Sequence, residues 1–349
     1  MQHSPTPFTC LRSGASARHG GSATQFGERS EEAGTAQTRA RVFAVPLPDR
    51  PVPWDRCLGH IYYRAAPPDE TSRDTGLLQP ITTHGKRPVI ILMPGMNLPC
   101  SSYTWLAHHL VDAGFIAVCY DHVESPMPGL EGLGPGLDIE PLRFGAEPGP
   151  CSTVLKPLLN ALKELNADAL CGCIDTDQVV LFGHSAGGTA ALFSSGWFDG
   201  VQGVVTYGAH AGISTMLGHP AGTVLPVHGA VPSLLIGGNA DGVVAASGTR
   251  YGGVTGPTDL IERTFAEALA GSGHGLVLLD GGQHLAPCHP HNPALGRGFL
   301  EPEATDASST RTVLADLLVA FARRNTGGAD ELDLVRQQHA TTITHMELK

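Results

Sequence analysis

The sequence predicts an α/β fold with a mostly parallel central sheet and helices on both faces. Short, continuously apolar runs recur along the chain, as expected of strands that are buried on both faces of a sheet. Segments with apolar residues at helical spacing separate several of these runs, and this alternation is typical of parallel sheets. The composition is that of a folded domain, because 42% of the 349 residues are hydrophobic and only 16% are charged.

The first part of the chain is expected to lie outside the domain. Residues 1–38 are rich in Ser, Gly, Ala and Thr without periodicity, which predicts a disordered tail. Residues 1–27 contain Arg12 and Arg18 but no acidic residue, so an organelle transit sequence stays open as an alternative. No secretory signal pattern is seen, and we therefore expect a cytoplasmic protein.

The ordered elements are expected within one domain, residues 39–325. Two short strands, 41–45 and 60–63, are consistent with an antiparallel pair. Strands are then predicted from apolar runs and helices from apolar residues at i, i+3 and i+4. The strands are 89–93, 115–120, 178–182, 203–207, 233–237 and 276–279, and the helices are 101–113, 153–165, 262–270 and 311–324. Residues 326–349 are expected to form a tail or a short helix.

Charge and cysteine usage exclude several classes of function. The net charge of −11, without a cluster of Lys and Arg, argues against a nucleic-acid partner. The sequence contains no apolar run of about 18 residues, so no membrane-spanning segment is predicted. The eight cysteines are scattered, and a disulfide framework is not required. Cys171 and Cys173 are too close in sequence for a typical zinc pair, and His289 and His291 lack a carboxylate at ligand spacing, so no metal site is expected.

The strongest functional signal is a serine flanked by glycines. Gly183-His184-Ser185-Ala186-Gly187 follows the apolar run 179–182 and precedes the helical pattern of 189–193. Small neighbours let the chain turn sharply from strand to helix, so that the serine hydroxyl stands above the end of the sheet. This context favours Ser185 as a nucleophile over an idle serine in a tight turn.

A serine nucleophile needs a base, because an unassisted hydroxyl barely ionises at neutral pH. Of the 17 histidines, His284 is the best placed, since it directly follows the predicted strand 276–279. Asp241 follows the strand 233–237 in the same way and would orient the imidazole and stabilise its protonated form. Alternatives stay open for both: Asp241 as a cap of a helix or turn, and His284 as a surface histidine.

Two backbone amides are expected to stabilise the oxyanion of an acyl-transfer reaction. The amide of Ala186, next to the nucleophile, is one of them. The second should come from the loop that follows the strand 89–93, and Met96 is the best candidate in Pro94-Gly95-Met96-Asn97. The Met96 side chain is expected to line the acyl pocket, with plain core packing as its alternative. The long segments 125–150 and 215–231, rich in Gly and Pro, are expected to shape or cover this pocket.

These residues resemble the α/β-hydrolases, and in particular the polyester-degrading cutinase group, the platelet-activating-factor acetylhydrolases and the chlorophyllase-like esterases. The resemblance spans about residues 58–323 and lies in the blocks 93–96, 101–106, 113–118, 183–188, 236–241 and 279–284. It implies an α/β-hydrolase fold with a Ser185, Asp241 and His284 triad and oxyanion donors at Met96 and Ala186. Secreted polyester hydrolases carry an export signal that is not seen here, so an extracellular polymer is not the expected substrate.

The sequence therefore predicts a serine-dependent carboxylic ester hydrolase that forms an acyl-enzyme and needs no metal or organic cofactor. Its expected substrate is a small or lipid-like ester. A serine at this turn disfavours dienelactone hydrolases, which have cysteine there, and haloalkane dehalogenases, which have aspartate. A ligand-binding homologue without activity stays open as an alternative, as does an acyltransferase or peptidase with the same triad.

Overall fold

The computed structural model describes residues 37–82, 85–127, 130–229, 231–253, 256–301 and 307–349. The tail expected at residues 1–38 therefore lies outside the described residues, apart from its last two. The strands are β1 (Gln37–Pro46), β2 (Arg56–Ala65), β3 (Arg87–Met93), β4 (Ile116–Asp121), β5 (Val123–Met127), β6 (Leu130–Leu133), β7 (Ile174–His184), β8 (Val201–Tyr207), β9 (Ser233–Gly238), β10 (Gly275–Leu279) and β11 (Ile343–Leu348). The helices are α1 (Glu70–Thr75), α2 (Thr104–Asp112), α3 (Leu155–Ala167), α4 (Ala186–Ser195), α5 (Gly242–Ser247), α6 (Asp259–Arg263), α7 (Ser308–Asn325) and α8 (Leu332–Gln338).

A nine-stranded sheet forms the centre of the structure, in the order β1-β2-β4-β3-β7-β8-β9-β10-β11. The strands from β4 to β10 in this order pair in parallel. β1 and β2 are antiparallel at one edge, and β11 is antiparallel at the other. The predicted α/β class with a mostly parallel sheet is thus confirmed, as is the antiparallel pair at its start.

Strand β3 shows why the apolar runs predicted buried strands. Its side chains alternate between two hydrophobic cores, one on each face of the sheet. Ile90 and Leu92 pack in the core that also contains Leu106 of α2 and Leu314 of α7. Val89, Ile91 and Met93 pack in the other core, together with side chains of α3 and α4. Because both faces are covered by helices, every residue of such a strand gains by being apolar.

The C-terminal segment 326–349 forms more than the expected tail or short helix. It contains helix α8 and then strand β11, which pairs with β10 and extends the sheet. Ile343 is the one buried residue of this strand, and the residues Thr344–Leu348 are exposed or half-buried. Because most side chains of this edge strand face solvent, its sequence need not be apolar. The search for continuous apolar runs therefore did not predict it.

Two further segments differ from the prediction. The long segment 125–150 includes part of a β-hairpin, β5 and β6, which lies outside the main sheet. The helix expected at 262–270 is split into α6 and a π-helical turn, Thr264–Ala268. At the start of this turn the Thr264 hydroxyl donates to the Leu260 carbonyl and accepts the amide of Ala211. The turn thereby fastens the loop that follows β8.

The parallel strands bring their carboxyl ends to one edge of the sheet. The segments that follow β3, β7, β8, β9 and β10 therefore meet there. They contain the five predicted site residues, which are Met96, Ser185, Ala186, Asp241 and His284. None of the helices in the described residues is both long and apolar enough to span a bilayer.

Candidate active site

Ser185 occupies a sharp turn between β7 and α4. Its φ of 55° and ψ of −123° lie outside the regions that residues with a side chain usually adopt. The turn is held because the Ser185 amide donates to Tyr207 O and its carbonyl accepts the Gly188 amide, each at 2.9 Å. A Cβ on Gly187 would lie 2.3 Å from the carbonyl oxygen of Met93, so the first turn of α4 can approach β3 this closely only with glycine there.

His284 and Asp241 form a short, buried hydrogen bond. The distance between His284 Nδ1 and Asp241 Oδ2 is 2.7 Å, and the two residues are 5% and 1% exposed. The second carboxylate oxygen, Oδ1, accepts the Val244 amide at 2.7 Å and caps helix α5. Asp241 therefore acts as a helix cap, the alternative considered for it, and binds the imidazole at the same time. The cap fixes the carboxylate in the orientation that the histidine needs.

Gly208 makes room for this pair. It follows β8 with a φ of +60°, and a Cβ at this position would lie 2.9 Å from His284 Nδ1 and 3.0 Å from Asp241 Oδ2. Both the backbone conformation and the close approach require glycine. The sequence did not single out this residue, because its requirement arises from two side chains on other loops.

The loops that carry the acid and the histidine are joined to each other. The amides of Asn239 and Ala240 donate to the carbonyls of Leu279 and Gly282. Glu301 bridges the same two loops, since it accepts the Gly242 amide at 3.1 Å and the Leu285 amide at 3.3 Å. Burial raises the pKa of Glu301, with the nearby Asp241 acting in the same direction. These contacts hold His284 against Asp241 from the backbone side.

Ser185 and His284 line the same cavity, which has a volume of about 560 Å³. No hydrogen bond joins Ser185 Oγ to the imidazole in the part of the chain that the structure describes. Such a contact is often long in a ligand-free hydrolase and shortens when a substrate or transition state is bound. The structure thus brings the three predicted triad residues to one site and joins two of them directly.

Met96 and Ala186, the predicted oxyanion donors, both line this cavity. Ala186 is the first residue of α4, so its amide has no acceptor within the helix. Within the described residues the Met96 amide also has no backbone acceptor, whereas the amides on either side of it are bonded. Both N–H groups are therefore available to a ligand, as an oxyanion site requires.

A buried tyrosine and histidine connect three of the chain segments that carry the predicted site residues. The Tyr103 hydroxyl accepts the Gly95 amide at 3.1 Å and lies 2.8 Å from His184 Nδ1. His184 Nε2 lies 2.8 Å from the backbone carbonyl of His284. Burial lowers the pKa of His184 well below its usual range, so the ring is neutral. Because a carbonyl only accepts, Nε2 carries the proton, and Tyr103 donates to Nδ1. The chain Gly95–Tyr103–His184–His284 thus runs from the loop of the predicted oxyanion donor Met96 to the predicted base.

We expect Tyr103→Phe to lower kcat about 10- to 100-fold with a smaller change in KM. The substitution leaves the Gly95 amide and His184 Nδ1 without their partner in a buried place, which loosens the loops on both sides of Ser185. Ester hydrolysis and thermal unfolding should be measured on the same samples.

Tyr63→Phe is the matched control for this prediction. Tyr63 is also buried, and its hydroxyl donates to the Leu78 carbonyl at 2.7 Å, in a part of the sheet that does not line the cavity. We expect Tyr63→Phe to lower stability without changing kcat. Equal effects of the two substitutions on kcat would show that Tyr103 only supports the fold.

The segments expected to shape the pocket contribute apolar side chains to its wall. Leu137, Ile139 and Leu142 come from the segment 125–150, and Leu217 comes from the segment 215–231. His210 adds a buried imidazole, which packs edge-on against the Tyr251 ring at 4.6 Å. Burial lowers the pKa of His210 to about 4, so this part of the wall is uncharged at neutral pH.

A group of potential metal ligands lies elsewhere, on β2, β4 and the turn before α2. His60, Cys100 and Asp121 each have a ligand atom within 4.8 Å of the others, the one such group in the described residues. His60 Nε2 is 3.2 Å from Asp121 Oδ2, and the Cys100 amide donates to Asp121 Oδ1. The side-chain contact of His60 with Asp121 and the hydrogen bond from the Cys100 amide describe this arrangement without a metal. The pairs Cys171 with Cys173 and His289 with His291 do not form such a group.

The chain matches no protein-family model and no curated protein sequence. The geometry of the site is therefore the basis for its functional interpretation.

Proposed function

We propose that the protein is a serine-dependent carboxylic ester hydrolase with an α/β-hydrolase fold. The observation that carries this proposal is the buried 2.7 Å hydrogen bond between His284 and Asp241, at the wall of a cavity that Ser185 also lines. A carboxylate on Nδ1 leaves Nε2 of the imidazole as the atom that accepts a proton, which is the arrangement a serine nucleophile needs.

The order of the elements supports the α/β-hydrolase fold. The nucleophile follows β7 and precedes α4, the acid follows β9, and the histidine follows β10. The chain order is therefore serine, acid, histidine, as in α/β-hydrolases and unlike other enzymes with this triad. The loop after β3 supports the same proposal, because the Met96 amide in it has no backbone acceptor among the described residues.

In the proposed mechanism, Ser185 Oγ attacks the ester carbonyl carbon while His284 Nε2 accepts the hydroxyl proton. Asp241 stabilises the imidazolium, and the amides of Met96 and Ala186 bind the tetrahedral oxyanion. The imidazolium then returns its proton to the departing alkoxide, which leaves as an alcohol. Water, deprotonated by the same histidine, attacks the acyl-enzyme, and the carboxylic acid departs as Ser185 regains its proton.

A fluorophosphonate probe tests this proposal, because it reacts preferentially with an activated serine. We expect one probe per chain, located at Ser185 by peptide mass spectrometry, and no labelling of Ser185→Ala. The wild type should also hydrolyse short 4-nitrophenyl esters. A folded protein that neither reacts with the probe nor hydrolyses any ester would contradict the proposal and favour a ligand-binding homologue.

Two other outcomes would favour enzymes of a different class with the same triad. Cleavage of amides as fast as esters would favour a peptidase, and transfer of the acyl group to an added alcohol instead of water would favour an acyltransferase.

A further inference from the structure

The wall of the active-site cavity is positively charged in a protein that is strongly acidic. The whole chain has 33 acidic and 22 basic residues, apart from histidine. The described residues that line the cavity nevertheless include two arginines, Arg250 and Arg297, and no aspartate or glutamate. Such a wall attracts anions into a site that the overall charge would repel.

The two arginines come from separate turns and line the same cavity as Tyr251. Arg250 belongs to the 3-10 turn Gly248–Tyr251 after α5, and Arg297 precedes the 3-10 turn Gly298–Leu300. Both guanidinium groups are close enough to Tyr251 to lower the pKa of its hydroxyl, although burial raises that pKa overall. Gly296 lies beside the carbonyl of Met96, which puts Arg297 next to the oxyanion loop.

Neither guanidinium has an ion-pair partner among the residues that the structure describes. Some other arginines of the described residues do have one, since Arg143, Arg263 and Arg323 each contact a carboxylate at 2.9 Å or less. The carboxylate of Glu301, close to Asp241, accepts two backbone amides instead. The charges of Arg250 and Arg297 are therefore available to a ligand.

We propose that the cavity takes esters that also carry an anionic group, a carboxylate or a phosphate, which Arg250 and Arg297 bind. This inference rests on the proposed ester hydrolase and names its class of substrate. A guanidinium matches the oxygens of a carboxylate or phosphate with two parallel hydrogen bonds. The leucine and isoleucine side chains elsewhere in the wall contact the apolar remainder of the substrate.

The test compares matched neutral and anionic esters. For a carboxylate on the acyl side, the pair is 4-nitrophenyl hexanoate and the mono-4-nitrophenyl ester of adipic acid. On the alcohol side, phenyl acetate is compared with 4-acetoxybenzoate and with 4-acetoxyphenyl phosphate. Each is assayed with the wild type and with Arg250→Gln, Arg297→Gln and the double variant. Arg143→Gln is the control, since Arg143 is an exposed residue paired with Glu140.

For at least one anionic ester, we expect the double variant to lower kcat/KM about 10- to 100-fold, mainly through KM. The matched neutral ester should change less than threefold, and added salt should weaken only the anionic preference of the wild type. The anionic ester whose kcat/KM falls in the double variant shows whether the anion is a carboxylate or a phosphate, and whether the acyl or the alcohol side of the ester carries it. Equal losses on neutral and anionic esters in every arm, or no loss, would overturn the inference while the ester hydrolase stands. Failure of the wild type on all esters, with no fluorophosphonate labelling, would instead refute the proposed function itself.

Discussion

Replacing Ser185 with alanine is expected to lower kcat for a short 4-nitrophenyl ester by on the order of 10⁶, the size of effect seen for nucleophiles of serine-protease triads. Without Oγ no acyl-enzyme forms, and the remaining groups only position water and stabilise an oxyanion. The fold should persist, because Oγ accepts and donates no hydrogen bond among the described residues and the turn is held by the Ser185 backbone.

Ser194→Ala, on the helix α4 that follows Ser185, is a matched control. Ser194 is fully buried, and its hydroxyl has no hydrogen-bond partner in the described part of the chain. We expect this substitution to leave kcat and the thermal unfolding midpoint almost unchanged. Hydrolysis by the Ser185 variant at a near-normal rate would show that another group is the nucleophile.

The sequence predicted those elements whose residues are buried on both sides. β3 and the strands paired with it in parallel each contain a continuous apolar run, at 89–93, 115–120 and 179–182, and these runs located them. β11 was not predicted, since its position at the edge leaves most of its side chains exposed. Hairpin β5–β6 was also missed, because it lies outside the main sheet and its sequence contains a proline.

The sequence predicted those site residues that directly follow a predicted strand. Ser185, Asp241 and His284 each follow a strand at the same edge, and the glycines beside them are visible in the sequence. Gly208, Tyr103 and Glu301 were not foreseen, because each contacts residues distant in sequence. Tyr103 and His184, for example, are separated by 81 positions. The same holds for Arg250 and Arg297, which the fold brings to one cavity wall.

Asp241→Asn should lower kcat about 10⁴-fold, second only to the loss of the nucleophile. The carboxylate offers two acceptors in opposite directions, Oδ2 to His284 Nδ1 and Oδ1 to the Val244 amide. Asparagine has one oxygen and one NH₂ group, so it satisfies only one of them. If the oxygen keeps the Val244 amide, the NH₂ group faces Nδ1 and forces the proton onto Nε2. The imidazole is then in the tautomer that cannot accept the proton of Ser185.

Asp177→Asn is the control for this prediction, because Asp177 is an exposed residue on β7 near the opposite end from Ser185. It should leave kcat unchanged, and both variants should be compared by kcat, fluorophosphonate labelling rate and thermal unfolding. The Asp241 variant should remain folded but react with the fluorophosphonate far more slowly than the wild type. This is expected because the reaction of Ser185 with the probe also needs His284 as its base. If kcat fell less than tenfold, His284 would not depend on this carboxylate for its orientation, and Asp241 would serve only to cap α5 and to hold the two loops together.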